Sequence, residues 1–203
     1  MIIGISGGSG AGKSTTSRIL SNIIPDSQLI VVDVLMHKYS FQYEDVILSK
    51  MNVNTDHKIH CYNYFHDSFE KIKIWIDTIK DYVVTDINKI IEENPNKNYI
   101  IDWCYLPLCD LYKKCNYTIC VKSNFEDRKK RLTNRLKNLS NSKHDKYNIP
   151  YSMWTPDAYD KRIEFSDLSN QGYSFDYYIH NDSTIENLTL EIDNLAQTFL
   201  SNK

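Results

Sequence analysis

A glycine-rich segment near the start of the chain carries the residues best suited to chemistry. Residues 7–15 read GGSGAGKST and satisfy the pattern G-x-x-x-x-G-K-[ST]. Glycines let backbone N–H groups curve around a polyphosphate, and a helix starting at Lys13 presents its positive end to the same anion. The Lys13 ammonium suits the β and γ phosphates, and the Ser14 hydroxyl suits Mg²⁺. The residues predicted to bind ATP are Gly8, Ser9, Gly10, Ala11, Gly12, Lys13, Ser14, Thr15 and, much further along, Arg162.

Two aspartates follow predicted buried strands. An apolar run over 28–32 leads into Asp33, and a second run over 99–101 ends in Asp102. The carboxyl ends of parallel strands meet at one edge of a sheet, so both acids are expected beside the glycine-rich loop. Asp102 is predicted to hold Mg²⁺ together with Ser14, and Asp33 to orient an acceptor hydroxyl toward the γ phosphate. The plainer interpretation makes each a turn or capping aspartate.

Arginine is rare in this chain, and four of its five arginines fall between 128 and 162. The planar guanidinium binds phosphate through two parallel hydrogen bonds, which a lysine cannot do. Arg131 and Arg135 are four residues apart and share a helix face, so both are predicted to act catalytically on the transferring phosphoryl group. The segment at about 136–160 is predicted to form a lid. The alternative is a solvated basic helix around residues 128–131.

A histidine cluster imitates the spacing of metal ligands. His57, His60, Cys61 and His66 lie within ten residues, yet no second ligand pair follows them. We therefore discount a metal site here. The aromatic residues around this cluster are predicted to be core or walls of an acceptor pocket.

Short apolar runs alternate with helical patterns, which predicts βαβ units and a parallel sheet. The predicted fold class is α/β, a three-layer P-loop kinase fold with a central parallel five-stranded sheet. Strands are predicted at 2–6, 28–32, 99–102, 117–121 and 175–180. Helices are predicted at 13–24, 65–93 with a break near Asp81, 124–139, 156–168 and 183–200, the last capped by Ser183 and Glu186.

Length and composition indicate one ordinary domain. The 203 residues carry a net charge of −2, which argues against bulk electrostatic binding of nucleic acid. No apolar run reaches the ~18 residues of a membrane span, and no basic flank marks a signal peptide. The odd number of cysteines, without Cys-x-x-Cys, favours a reducing, cytoplasmic setting. We expect a single domain over 1–203, with a helical acceptor-binding region at about 40–95, acting on a small molecule as a monomer or small homo-oligomer.

Several segments together resemble the dephospho-CoA kinases, a P-loop family related to the nucleoside-monophosphate kinases. The likeness extends over nearly the whole chain, although only the glycine-rich loop is highly specific. It implies transfer of the γ-phosphoryl of Mg·ATP to the 3′-hydroxyl of dephospho-CoA in coenzyme A biosynthesis, with Asp33 contacting that hydroxyl. The segments that carry it are 1–15, 32–35, 56–75, 100–108, Arg131 to Arg135, Arg162-Ile163 and 175–182.

Other functions remain open at this stage. The loop segment at 4–14 resembles that of uridine kinases equally well, and residues 62–69 are faintly similar to their substrate loop, so a nucleoside or nucleoside-monophosphate kinase is the nearest alternative. A P-loop ATPase that switches a partner is an alternative of another class. A degenerate kinase that only binds nucleotide is the weakest of the three.

Overall fold

A five-stranded parallel sheet forms the centre of the molecule in this computed structural model. The structure describes residues 1–53, 65–66, 68–139 and 156–201. The spatial order of the strands is β2-β3-β1-β4-β5, so the chain passes over β3 between β1 and β2, and over β1 between β3 and β4. The strands are β1 (Ile2–Ser6), β2 (Ser27–Val31), β3 (Asn98–Asp102), β4 (Tyr117–Lys122) and β5 (Tyr177–His180).

Helices connect the strands and cover both faces of the sheet. Two short 3₁₀ segments, Leu106–Leu108 and Leu168–Gln171, lie after β3 and before β5. The α-helices are α1 (Lys13–Ile23), α2 (Val32–Gln42), α3 (Glu44–Lys50), α4 (Phe69–Glu93), α5 (Leu111–Lys114), α6 (Phe125–Leu139), α7 (Pro156–Phe165) and α8 (Ile185–Ser201). The predicted α/β fold class with a parallel five-stranded sheet is confirmed.

Strand β3 is buried on both faces, as expected of a parallel strand beneath two helical layers. Tyr99 and Ile101 face the cluster built with α2 and α4, whereas Ile100 faces the cluster built with α1 and α8. Successive side chains of a strand point to opposite faces, which explains how one short run supplies both cores. The carboxyl end of β3 is thereby fixed, and with it Asp102.

Three local expectations were wrong. Helix α4 continues through Asp81 without a break, because Ile76, Ile79, Val83 and Ile87 keep one buried face while Asp81 lies on the exposed face. Strand β2 ends at Val31, so Asp33 lies in the first turn of α2 and does not end a strand.

The capping box at Ser183 and Glu186 was the third error. Helix α8 begins at Ile185, and the Thr184 hydroxyl accepts a hydrogen bond from the N–H of Asn187 at 3.4 Å. Thr184 is therefore the N-cap of α8, one residue after the predicted Ser183.

Parts of the predicted functional regions lie outside the described residues. Most of the predicted lid at 136–160 falls on 140–155, and the predicted acceptor region at 40–95 includes residues 54–64 and 67. His57, His60 and Cys61 also lie outside the described residues. Among the described residues, no helix combines the length and the apolar character needed to cross a membrane.

Candidate active site

The glycine-rich loop joins β1 to α1, as the sequence predicts. Gly12 stands at the N-cap of α1 with φ 109°, and no side chain caps the helix. A Cβ on Gly12 would overlap the amide nitrogen of Asn181, so the left-handed backbone and the close neighbour both require glycine. The start of α1 is therefore bare of side-chain caps and open to an anion.

Hydrogen bonding divides the loop N–H groups into two sets. The N–H of Ser9 donates to Ser166 Oγ at 2.7 Å, and that of Ala11 donates to the Gly8 carbonyl at 3.0 Å. Within the described residues, the N–H groups without a protein acceptor include those of Gly10, Gly12, Lys13 and Ser14. Several convergent N–H donors at a helix start are suited to binding a polyphosphate.

A cavity of about 470 Å³ opens beside this loop. Its lining includes charged groups, among them Lys13, Asp33 and Asp102. It also includes Ile185 and Leu188 from the start of α8, which add apolar surface. The cavity thus combines charged and apolar side chains, a common arrangement in small-molecule sites. Of the predicted residues, those lining it are Ser9, Gly10, Gly12, Lys13, Ser14, Thr15, Asp33, Asp102, Arg131, Arg135 and Arg162.

Gly8 and Ala11, the other two residues predicted to bind ATP, lie behind the cavity surface. The Gly8 carbonyl accepts a hydrogen bond from Lys13 Nζ at 3.3 Å, which folds the lysine side chain over the loop. Ala11 is fully buried, and its carbonyl accepts from Asn181 Nδ2 at 2.7 Å. Both residues therefore hold the shape of the loop through their backbones.

Asp102 is the most deeply buried acid of the cavity, with 4% of its surface exposed. Burial raises its pKa above the ordinary value, the charge of Lys13 opposes that rise, and the charge of Asp33 adds to it. Its Oδ2 atom is buried without a hydrogen-bond partner among the described residues. A buried carboxylate oxygen without a donor is costly unless a cation occupies the space before it.

The donor set here fits Mg²⁺. Asp102 supplies an unsatisfied carboxylate oxygen, and Ser14, whose hydroxyl interacts with Asp102, lines the same cavity. The described residues contain no group of three or more His, Cys, Asp or Glu able to hold a metal by themselves. Mg²⁺ is usually bound by one or two protein oxygens together with substrate phosphates, so a sparse protein donor set is the expected one.

The three arginines predicted for the site come from two helices. Arg131 on α6 donates to the Gly10 carbonyl at 3.3 Å and to the Asn181 carbonyl at 2.7 Å, so it touches the loop directly. Arg135, one turn further on, lines the cavity and is exposed. Arg162 on α7 donates through Nε to Ser9 Oγ at 3.4 Å. All three bring positive charge to the cavity.

Arg128 behaves differently from the solvated basic helix offered as an alternative. Its side chain is only 3% exposed and pairs with Asp167 at 3.0 Å. Lys130 is exposed, as that interpretation expects, so the basic run divides between solvent and interior. No local pattern predicts this ion pair, because Asp167 lies 39 residues further along the chain.

Six further residues line the cavity without having been predicted as site residues. They are Cys104, Leu132, Asn181, Ser183, Ile185 and Leu188. Burial raises the pKa of the Cys104 thiol to about 12, so it stays protonated at neutral pH. Leu132 adjoins Arg131 on α6, and Leu188 lies on the buried face of α8, a placement that helical periodicity could have indicated.

Of the aromatic residues near the histidine cluster, Phe65 and Trp75 lie in the described part of the chain and belong to the core. His66 is buried and contacts Trp75, while Phe65 stacks on Trp75 with ring centroids 5.0 Å apart. Trp75 Nε1 donates to Ser40 Oγ at 2.8 Å, which joins α4 to α2. This packing supports the helix whose first turn carries Asp33.

The fold and the loop define a P-loop kinase-like domain. The AAA domain family matches residues 3–149, well over half of the chain, so the chain belongs to that family. No curated protein matches the chain in sequence.

Solved structures of several kinases share the fold. The dephospho-CoA kinase of Campylobacter jejuni is 14% identical with a TM-score of 0.57, covering 100% of this chain and 98% of its own. The shikimate kinase of Acinetobacter baumannii is 17% identical with a TM-score of 0.52, covering 100% and 94%. A protein from Thermus thermophilus is 14% identical with a TM-score of 0.58, covering 98% and 97%. At such identities the likeness is one of fold alone.

Proposed function

We propose that this protein transfers the γ-phosphoryl group of Mg·ATP to a hydroxyl group of a small molecule. One observation carries the proposal: unpartnered loop N–H groups, Lys13, Asp102 and Asp33 all face one cavity. A triphosphate, a divalent cation and an acceptor alcohol need these donor types, and phosphoryl transfer needs them together. Catalysis would then consist of positioning and electrostatic stabilisation.

The positive groups would neutralise charge on the transferring phosphoryl group. Lys13 reaches the loop side of the cavity, whereas Arg135 and Arg162 approach from helices α6 and α7. Arg131 already donates to the Gly10 carbonyl in the loop and to the Asn181 carbonyl after β5, so it would both hold the loop and face the phosphates. Cationic side chains on separate elements can contact different oxygens. This suits a transition state whose negative charge is spread over the three oxygens of the phosphoryl group.

Ser14 and Asp102 would hold Mg²⁺. When bound, the ion neutralises phosphate oxygens and fixes their orientation. The Ser14 hydroxyl lies at the start of α1, and Asp102 presents its unpartnered oxygen from the end of β3. The rise in the pKa of Asp102 caused by burial would be reversed by a cation at this position.

Asp33 would orient the acceptor hydroxyl and accept its proton. It lies half-buried in the first turn of α2, and its charge raises the pKa of Asp102, which places the two carboxylates within electrostatic reach. Asp33 lines the same cavity as Asp102 and Ser14, so an alcohol bound there would lie beside a carboxylate that can act as its base.

For the acceptor, we propose the 3′-hydroxyl of dephospho-CoA, which would place the protein in coenzyme A biosynthesis. The support is the ordered set of segments resembling dephospho-CoA kinases, from the loop to the Tyr-Ile-His-Asn-Asp sequence at 178–182. Asn181 of that sequence bonds to the loop at Ala11. A nucleoside or nucleoside monophosphate is the alternative acceptor, because the loop itself is equally similar to that of uridine kinases.

A coupled assay of ADP release tests the proposal. Dephospho-CoA, uridine, cytidine, shikimate and nucleoside monophosphates are offered with Mg·ATP, and hydrolysis in water alone is the control. We expect ADP release to rise well above the water control with one acceptor class. Hydrolysis that no acceptor accelerates, but that a protein partner stimulates, would replace the kinase with a switch ATPase.

A further inference from the structure

We propose that Arg128, although absent from the cavity wall, is a positioning residue that fixes the glycine-rich loop from behind together with Ser166 and Asp167. We call these three residues the loop brace. Their effect on nucleotide binding rests on the proposed function, whereas their effect on the order of the loop stands on the geometry alone.

The guanidinium of Arg128 is held by two partners in the interior. Nη1 donates to Asp167 Oδ2 at 3.0 Å, and Nη2 donates to the Ile163 carbonyl at 2.7 Å. The second oxygen of Asp167 accepts from Ser169 Oγ at 2.6 Å. The Arg128 and Asp167 side chains are 3% and 7% exposed. Both Nη atoms of Arg128 and both oxygens of Asp167 are thus bonded, although Arg128 Nε is buried without a partner among the described residues. These four bonded atoms hold the guanidinium in one orientation.

The guanidinium also occupies the only space a side chain at position 8 could take. A Cβ built on Gly8 would overlap Arg128 Nη1 and approach Cζ to 2.7 Å. The loop therefore packs directly against the charged group, with its backbone against the guanidinium. A shift of Arg128 would leave a gap beneath Gly8, the residue whose carbonyl accepts from both Lys13 Nζ and the Ala11 N–H.

Ser166 completes the brace by taking one loop donor. The buried Ser166 Oγ accepts from the Ser9 N–H at 2.7 Å, and the Ser166 N–H donates to the Arg162 carbonyl at 3.2 Å. Arg162 in turn donates to Ser9 Oγ. Four residues at the end of α7 thus contact either the loop or Arg128, so the brace positions Arg162 and the loop as one unit.

The N–H groups of the loop serve two purposes: one is bonded to the loop brace, and others are left for a ligand. Ser166 uses the Ser9 N–H, which leaves the later donors at Gly10, Gly12, Lys13 and Ser14 for a ligand. Preorganised donors bind a ligand better than donors that must be ordered on binding. The Arg128 side chain does not line the cavity, so its action on these donors is indirect.

The matched control is Lys129, the next residue on α6. Lys129 Nζ pairs with Asp160 Oδ2 at 2.8 Å and so joins α6 to α7, as Arg128 does, but it lies neither on the cavity wall nor against the loop. Arg128→Met and Lys129→Met both remove one cation that links the same two helices. Only the first should alter the loop.

The first measurement is amide hydrogen exchange of the full-length protein without nucleotide. We expect peptides covering residues 7–14 to exchange at least about tenfold faster in Arg128→Met and in Ser166→Ala, and at the wild-type rate in Lys129→Met. Ser166→Ala retains the Arg128–Asp167 pair, so it tests the brace even if Arg128→Met fails to fold. Wild-type exchange of the loop in folded Arg128→Met or in Ser166→Ala would overturn the proposal.

The second measurement is the Kd for Mg·ATP by calorimetry. We expect a rise of about tenfold or more in Arg128→Met, partial recovery in Arg128→Lys, and a change within about twofold in Lys129→Met. Unchanged affinity in Arg128→Met would contradict the brace. If the wild-type protein does not bind Mg·ATP, the proposed function fails, and hydrogen exchange alone then decides whether the brace is correct.

Discussion

At the scale of single residues, the cavity depends on carboxylates whose surroundings differ. Asp33 is half-buried on a helix turn, whereas Asp102 is almost fully enclosed at the end of β3. The sequence indicated both, because strand ends are where a parallel sheet places its ligands. It did not indicate the burial of Asp102, which depends on how tightly α1 and β3 pack.

Asp102 provides a prediction for the pH dependence of stability. Burial raises its pKa above the ordinary 3.8, so the neutral form favours folding. This contribution is complete below pH 3.8 and is lost as the pH rises through the raised pKa. We therefore expect Asp102→Asn to raise the Tm of the ligand-free protein, by more at pH 7.5 than at pH 4.5. About 2–4 °C corresponds to each kcal/mol in a protein of this size.

Differential scanning calorimetry at the two pH values measures this effect. The same variant should lose the dependence of ATP binding on Mg²⁺, since its amide cannot replace a carboxylate ligand. An Asp102→Asn protein less stable than wild type at pH 7.5 would contradict the account of this residue.

At the scale of elements, periodic patterns predicted most helices and strands to within a few residues. They failed where a boundary depends on tertiary contacts. Asp81 is a charged residue within the apolar pattern of α4, but it lies off the buried face, so the helix continues. Arg128 looks like one of several exposed basic residues until α7 and the following 3₁₀ segment bring Asp167 to it. Contacts of high sequence separation leave no local signal.

The bond between Trp75 and Ser40 gives a prediction for the contact of α4 with α2. Ser40→Ala removes the acceptor of the buried Trp75 Nε1–H. An unsatisfied buried donor costs about 1–3 kcal/mol, and the free energy of unfolding should fall by that amount. The matched control is Thr78→Ala on α4, since the Thr78 hydroxyl donates to the Ile74 carbonyl of its own helix.

Chemical denaturation monitored by tryptophan fluorescence measures both variants. Because α2 carries Asp33, we also expect Ser40→Ala to lower kcat more than it changes the Kd for ATP. Equal stability of the Ser40→Ala and Thr78→Ala proteins would show that this contact does not hold α2 in place.

At the scale of the whole molecule, the alternation of strands and helices predicted the sheet and its two covered faces. The glycine-rich loop predicted where the cavity lies. The apolar wall on α8 was not predicted as part of it, because that helix is about 170 residues from the loop and reaches it only after β5 pairs with β4. The pairing of the edge strand β5 with β4 thus completes the lining of the cavity.

Ligand binding should stabilise the entire domain. A nucleotide at 100 times its Kd adds about 2.7 kcal/mol to the free energy of unfolding. We expect Mg·ATP at that excess to raise Tm by roughly 5–10 °C, at about 2–4 °C per kcal/mol. Lys13→Met should abolish most of the shift, whereas Arg18→Met, an exposed change on the same helix, should retain it. Equal shifts in the two variants would place the nucleotide elsewhere.

The most direct test of the account compares wild type with Asp33→Asn, measuring acceptor-dependent kcat and the Kd for Mg·ATP on the same preparations. The amide keeps the size of the side chain but cannot accept the acceptor's proton. We expect kcat to fall by at least about 100-fold, at the lower end of what a positioned general base contributes, while Kd stays within about threefold. Wild-type kcat in Asp33→Asn, or a parallel collapse of ATP affinity, would contradict the role proposed for Asp33.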